Sequence, residues 1–254
     1  MTVNYQLIVS SVSAGTFFRL LFRWRGSIWK SVITELSIWL VCYYLIFFCY
    51  RFLATASFQT FLEHLMNHMD DRLKYIPLTF MLGFFVTTVF ERWRAIMTAL
   101  PFIESVAIST SMLVPGLTEE ARLIRRAIIR YVVLSQVLVF RDISMRVRRR
   151  FPNILSLVEA GFLEESELDD LEAVHARPGN RYWVPMNWAN SIILEAHQNK
   201  IIDQPTAFNN LILALKEFRI SLETLCKYDW IPIPIAYPQV VFLAVRVYFC
   251  CVSF

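Results

Sequence analysis

Charge and glycine are scarce in this sequence: Asp, Glu, Lys and Arg make up 18% of 254 residues, and glycine occurs 6 times. Such a chain does not stay expanded as a disordered or acidic-tail protein, and glycine this rare excludes a collagenous one. Five cysteines are present. Four of them, Cys42, Cys49, Cys250 and Cys251, lie in apolar runs with no CxxC or Cys/His ligand spacing, which argues against a disulfide framework or a zinc site. Catalytic signatures are missing too. There is no GxSxG, and although His64 and His68 share a helix face, Leu65 stands where HExxH needs its glutamate. His175 and His197 are isolated from any nucleophile. No short apolar core with a cleavage site opens the chain, since Arg19, Arg23, Arg25 and Lys30 interrupt residues 1–31, so the start is expected to be mature cytosolic sequence.

What is present is apolar surface. Hydrophobic residues reach 56%, aromatics 15% with 21 Phe, and the mean hydropathy is +0.47. The run Leu36 to Tyr50 carries no charge and reaches spanning length as 32–56, since a helix needs about 20 residues to cross a bilayer. A second apolar run, Tyr75 to Phe90, is shorter and fits a tilted or enclosed helix within 75–94. A third, 230–254, has Pro232, Pro234 and Pro238 in its first half and Arg246 in its second, and a charge at that depth needs a partner or water. Four basic residues and no acidic one precede Glu35, which by the positive-inside rule puts 1–31 in the cytoplasm and 57–74 outside. Six arginines from Arg92 to Arg130 return the chain to the cytoplasm. The net charge of +4 is too slight to argue for nucleic acid.

From 95 to 229 the pattern is helical and mostly amphipathic, without clean period-two alternation, so a large cytosolic helical region is expected. Pro115-Gly116 ends one helix, and Thr118, Glu119 and Glu120 are placed to start the next. Glu164 to Glu172 reads as a solvated acidic helix face. The cluster Arg146, Arg148, Arg149 and Arg150, broken by Val147, reads as the end of an amphipathic helix. Ile76, Phe80 and Phe84 recur every four residues and drift only about 40° per step, so they form one stripe on the second span. That stripe either faces lipid or a neighbouring helix, or, repeated around an axis, makes stacked hydrophobic rings that gate by dewetting. Phe ring edges carry the positive part of the quadrupole and would favour anions.

Trp24-Arg25-Gly26-Ser27-Ile28, Cys42-Tyr43-Tyr44, Ile76-Pro77 with Phe80 and Leu82-Gly83-Phe84, and Arg92-Trp93 stand in order along the chain. They are followed by Ile129-Arg130-Tyr131, Arg150-Phe151-Pro152, Ala160-Gly161-Phe162, Trp183-Val184-Pro185 and Tyr228-Asp229-Trp230-Ile231. Together they resemble the bestrophin family. The resemblance implies an all-α integral membrane protein: a homopentameric, calcium-activated channel for chloride and bicarbonate in the plasma membrane, with membrane lipid around it and no nucleic acid. It implies a pore neck at Ile76, Phe80 and Phe84 and a cytosolic aperture at Ile201. It also implies a calcium site to which Ser10 gives a backbone carbonyl, joined by an acidic cluster. No Asp or Glu follows Asp229, so that site is expected to be incomplete here. Two readings follow: a conducting anion-channel subunit, or a non-conducting shortened form that joins and regulates full-length bestrophins. An enzyme is not expected.

Overall fold

The computed structural model describes residues 14–24, 27–75, 77–174 and 181–252, and among them there are helices and no strands. The chain divides into two compact units, Met1–Phe84 with Ala236–Phe254, and Phe85–Ile235.

In the first unit, a short helix α1 (Ala14–Leu21) leads to α2 (Trp29–Phe48), which ends in a π-helical turn at Cys49–Leu53. No residue of α2 is buried. For a helix this apolar on every face, the partner that covers it is hydrocarbon. Residues Trp29–Leu53 form a stretch long and apolar enough to cross a membrane, as does the stretch from Leu78 to Leu113. Residues 57–74, expected outside as the connection between the first two spans, fold as helix α3 (Ala56–Leu73). Its sequence explains this, because helix-forming Leu, Met and Glu outnumber breakers and no Gly or Pro interrupts it.

Helix α4 (Leu78–Thr98) has 21 residues, and at 1.5 Å per residue it is about 31 Å long. Pro77 stands immediately before it, where a missing N–H costs nothing, and its carbonyl accepts from Met81 N–H at 3.0 Å.

The second unit holds the packed core. Its elements are α5 (Ile103–Leu113), α6 (Glu119–Ile143), α7 (Met145–Arg150), α8 (Leu155–Glu159), α9 (Glu165–Ala173), α10 (Trp183–Gln198) and α11 (Pro205–Trp230). Buried residues recur at steps of three and four: Ile128, Val132, Ser135 and Val139 on α6, Met186, Ala189, Ile193 and Ala196 on α10, and Leu211, Leu215, Phe218, Leu222 and Leu225 on α11. Each buried Leu or Ile contributes roughly 1.5–3 kcal/mol, and the stripes explain why these three helices pack on one another. Pro185 falls in the first turn of α10, where it breaks no helical hydrogen bond.

Helix ends follow local chemistry. Gly116, at φ +109°, makes the left-handed turn that few other residues tolerate. Thr118 then caps α6 by accepting from Ala121 N–H at 3.3 Å, with Glu119 and Glu120 in the first turn. Glu164 and Glu167 form a reciprocal capping box on α9. Helix α12 (Ala236–Val252) completes the first unit and has 17 residues. It starts at Ala236 because Pro232 and Pro234 hold the preceding residues extended.

Candidate pore-lining site

Phe80 and Phe84 sit one helical turn apart on α4, and their rings meet edge to face with centroids 4.5 Å apart. Both are largely exposed on the chain, at 62% and 60%. The pair therefore projects a continuous aromatic ridge from an apolar helix. Gly83 lies between them, with nothing within 4 Å of where a Cβ would stand. Ile76, the third member of the stripe, falls outside the described residues, and so does Ser10.

Ile201 lies in the turn after α10, where backbone geometry fixes it tightly. Lys200 adopts φ +59°, a conformation that costs most L-residues roughly 1–2 kcal/mol. The N–H groups of Ile201 and Ile202 both donate to Ala196 O, at 2.9 and 3.1 Å, which closes the helix end. His197 Nδ1 lies 2.7 Å from Ile202 O, and its ring stacks on Phe208 at 4.7 Å. Ile202 is fully buried and anchors the turn, while Ile201 is half-buried against the core. His197, isolated in sequence, is thus a structural tether.

The arginines have a role that charge counting missed. Arg92 donates to Tyr228 O, a very short contact, and to Ile231 O at 3.0 Å, and its guanidinium lies over the Tyr228 ring. It thereby satisfies carbonyls at the end of α11 that have no helical partner. Arg125 donates to Val114 O and Gly116 O at 2.8 and 3.0 Å, and Arg141 to Phe151 O and Pro152 O at 2.8 and 2.7 Å. Each clamps the turn between two helices. The planar five-donor fork suits this work better than a lysine ammonium.

In the acidic stretch Glu164, Glu165, Asp169, Asp170 and Glu172 are exposed, as a solvated face requires, and Glu167 alone departs from that reading. Glu167 is only 13% exposed and accepts from Arg130 Nη1 and Nη2, each at 2.6 Å, and from Tyr131 Oη at 2.6 Å. It also accepts from Glu164 N–H at 2.9 Å. Leu171, buried on the same helix, pulls that face inward and carries Glu167 with it. Burial pushes the Glu167 carboxyl up, yet the hydrogen bonds from Arg130, Tyr131 and Glu164 outweigh burial and hold it below the ordinary value. Burial, then the bond to Glu167, pushes the Tyr131 hydroxyl up to about 12.

Arg246, the charge inside the third apolar segment, finds its partner in Glu35 of α2, 3.5 Å away. Arg246 is the only charged residue of α12, and Glu35 shares α2 with Lys30. Among the described residues no group of three or more His, Cys, Asp and Glu comes together.

Long apolar helices, an outward aromatic ridge and a separate helical core define an all-helical integral membrane protein. The family profile described as "Bestrophin, RFP-TM, chloride channel" matches residues 1–254. Bestrophin homolog 17 of Caenorhabditis elegans is 65% identical over 255 residues, covering 100% of this chain and 53% of the relative. Bestrophin homologs 24 and 22 of the same organism are 46% and 42% identical, each over 98% of this chain and over 39% and 50% of their own lengths. The chain belongs to the bestrophin family, and it spans about half the length of the curated relatives it matches.

Proposed function

We propose that copies of this chain surround a central pore for chloride and bicarbonate, narrowed in the membrane by Ile76, Phe80 and Phe84. The observation that carries this reading is the exposed, edge-to-face Phe80–Phe84 ridge on a helix of spanning length, in a family described as chloride channels. Stacked rings of such side chains leave a narrow passage that empties of water unless it widens. Ring edges turned inward offer positive potential to an anion without binding it tightly. An ion that is not held can leave, which is what conduction requires.

In this reading residues 1–31 and 95–229 are cytosolic, 57–74 lies outside, and the membrane is the plasma membrane. Ile201 forms a second constriction on the cytosolic side, held in place by the Ile202 anchor. The assembly is a homopentamer or a mixed oligomer with longer bestrophins. Its calcium response belongs to the assembled channel.

The test is anion efflux from vesicles reconstituted with the chain. Chloride efflux above that of empty vesicles, raised by Phe80→Ala or Phe84→Ala, is the expected result. No efflux from protein shown to be inserted and oligomeric would remove the reading for this chain.

A further inference from the structure

Away from the ridge, the first unit holds a cavity of about 340 Å³, lined by Leu45, Cys49 and Tyr50 at the end of the first span and by Phe58, Leu62 and Met66 of α3. Its volume lies in the range of small-ligand sites, about 300–1,000 Å³. The π-helical turn at Cys49–Leu53 accounts for the gap. A wider turn displaces the side chains that would otherwise continue the α-helical stripe, and such turns are frequent at functional positions. One wall carries its side chains at a spacing of four, Leu45 and Cys49, and so does the other, Phe58, Leu62 and Met66.

The rim is polar. Tyr50 Oη donates to Glu63 Oε1 at 3.2 Å, and Gln59 Nε2 donates to Tyr50 O at 3.3 Å. Arg51, next along the turn, is exposed. An apolar body with the Glu63 carboxylate bonded at its rim, and an exposed arginine on the same turn as Tyr50, suits an amphiphile with a tail, a phosphate and an amine. Because the cavity lies at the end of a span whose every residue is unburied, it is continuous with the surface that faces hydrocarbon.

We propose that this cavity seats one acyl tail of a zwitterionic phospholipid, with the lipid ammonium against Glu63 and its phosphate against Arg51. The site does not depend on the pore reading. Its occupancy would fix the end of the first span relative to α3, since tail and headgroup touch both.

The experiment uses the whole chain in vesicles of phosphatidylcholine and phosphatidylethanolamine containing a phosphatidylcholine probe with a photoreactive diazirine on one tail. After irradiation, peptides carrying 45–50 and 58–66 are expected to be labelled more heavily than the peptide carrying Val240 and Leu243, which are exposed on α12. Leu62→Trp, which fills the cavity, is expected to cut that labelling about tenfold and leave the α12 peptide unchanged. If Leu62→Trp does not insert, Cys49→Phe makes the same comparison. Glu63→Gln is expected to reduce the preference for this probe over the matching phosphatidylglycerol probe. Labelling that is uniform over all exposed apolar positions, or indifferent to the filling variants, would overturn the proposal. So would capture of a sterol probe at these peptides in place of the phospholipid, or a headgroup preference untouched by Glu63→Gln.

Discussion

At Glu167 one carboxylate receives four donors from Arg130, Tyr131 and the Glu164 backbone. Its folded-state pKa is lowered from an ordinary 4.5, so its contribution is fully present above that value and is lost as pH falls through the folded one. Tyr131 works in the opposite direction. Its folded pKa is raised from 10.0 to about 12, so its contribution is present below pH 10 and is lost as pH rises through the folded value. The second unit is therefore expected to be most stable between these limits. Glu167→Gln is expected to cost about 1.5–3 kcal/mol near pH 7 and to flatten the acid limb, checked by thermal unfolding across pH. An unchanged acid limb would place the acid sensitivity elsewhere. Cys226 gives a second residue-scale test, because burial, with Asp142 nearby, pushes its thiol up to about 11. At pH 7.5 a maleimide is expected to spare buried Cys226 until the second unit is unfolded, and to modify it then. Mass spectrometry of the labelled peptides reads this directly.

Among elements, α2 and α12 are joined by the one long-range ion pair described within the first unit, Arg246 with Glu35. A lone charge in the middle of a bilayer costs about 2.5–3.5 kcal/mol on insertion scales, so each of these residues makes the other tolerable. Glu35→Gln and Arg246→Met are each expected to lower stability in bilayers, and the exchange Glu35→Arg with Arg246→Glu to recover much of it. The coupling measured by the double-mutant cycle is expected to be about 0.5–3 kcal/mol. Strict additivity would mean that the two do not act as a pair. The sequence posed this problem, a charge deep in an apolar run, but held no local sign of its partner 211 positions away. The α2 span and the start of α6 at Thr118 were legible because they depend on nearest neighbours: uninterrupted apolar residues in one case, a cap and a preceding Pro-Gly in the other. Glu167 and Arg92 were misread or missed because the side chains and carbonyls that hold them lie at least 36 and 136 residues away respectively. A charge next to other charges looks solvated until packing is known.

For the whole molecule, the membrane-facing unit has almost no buried side chains, whereas the second unit has a continuous core, so the two owe their stability to different media. Leu222→Ala in the core is expected to cost about 2–5 kcal/mol, since the site is fully buried and cannot collapse freely. Solvent exposure on α4 has the opposite meaning. There, an exposed aromatic ridge is either lipid-facing or pore-facing, and the proposed function requires the second. The most direct measurement places a single cysteine at Phe84, in a chain whose exposed cysteines have been replaced by serine, and follows chloride efflux while a membrane-impermeant, charged thiosulfonate reagent is added. The expected result is modification that proceeds from the aqueous phase and changes efflux, with Val240→Cys on α12 unaffected. Failure of the reagent to reach position 84 would mean that the ridge faces hydrocarbon, and modification there with efflux unaltered would mean that the pore lies elsewhere.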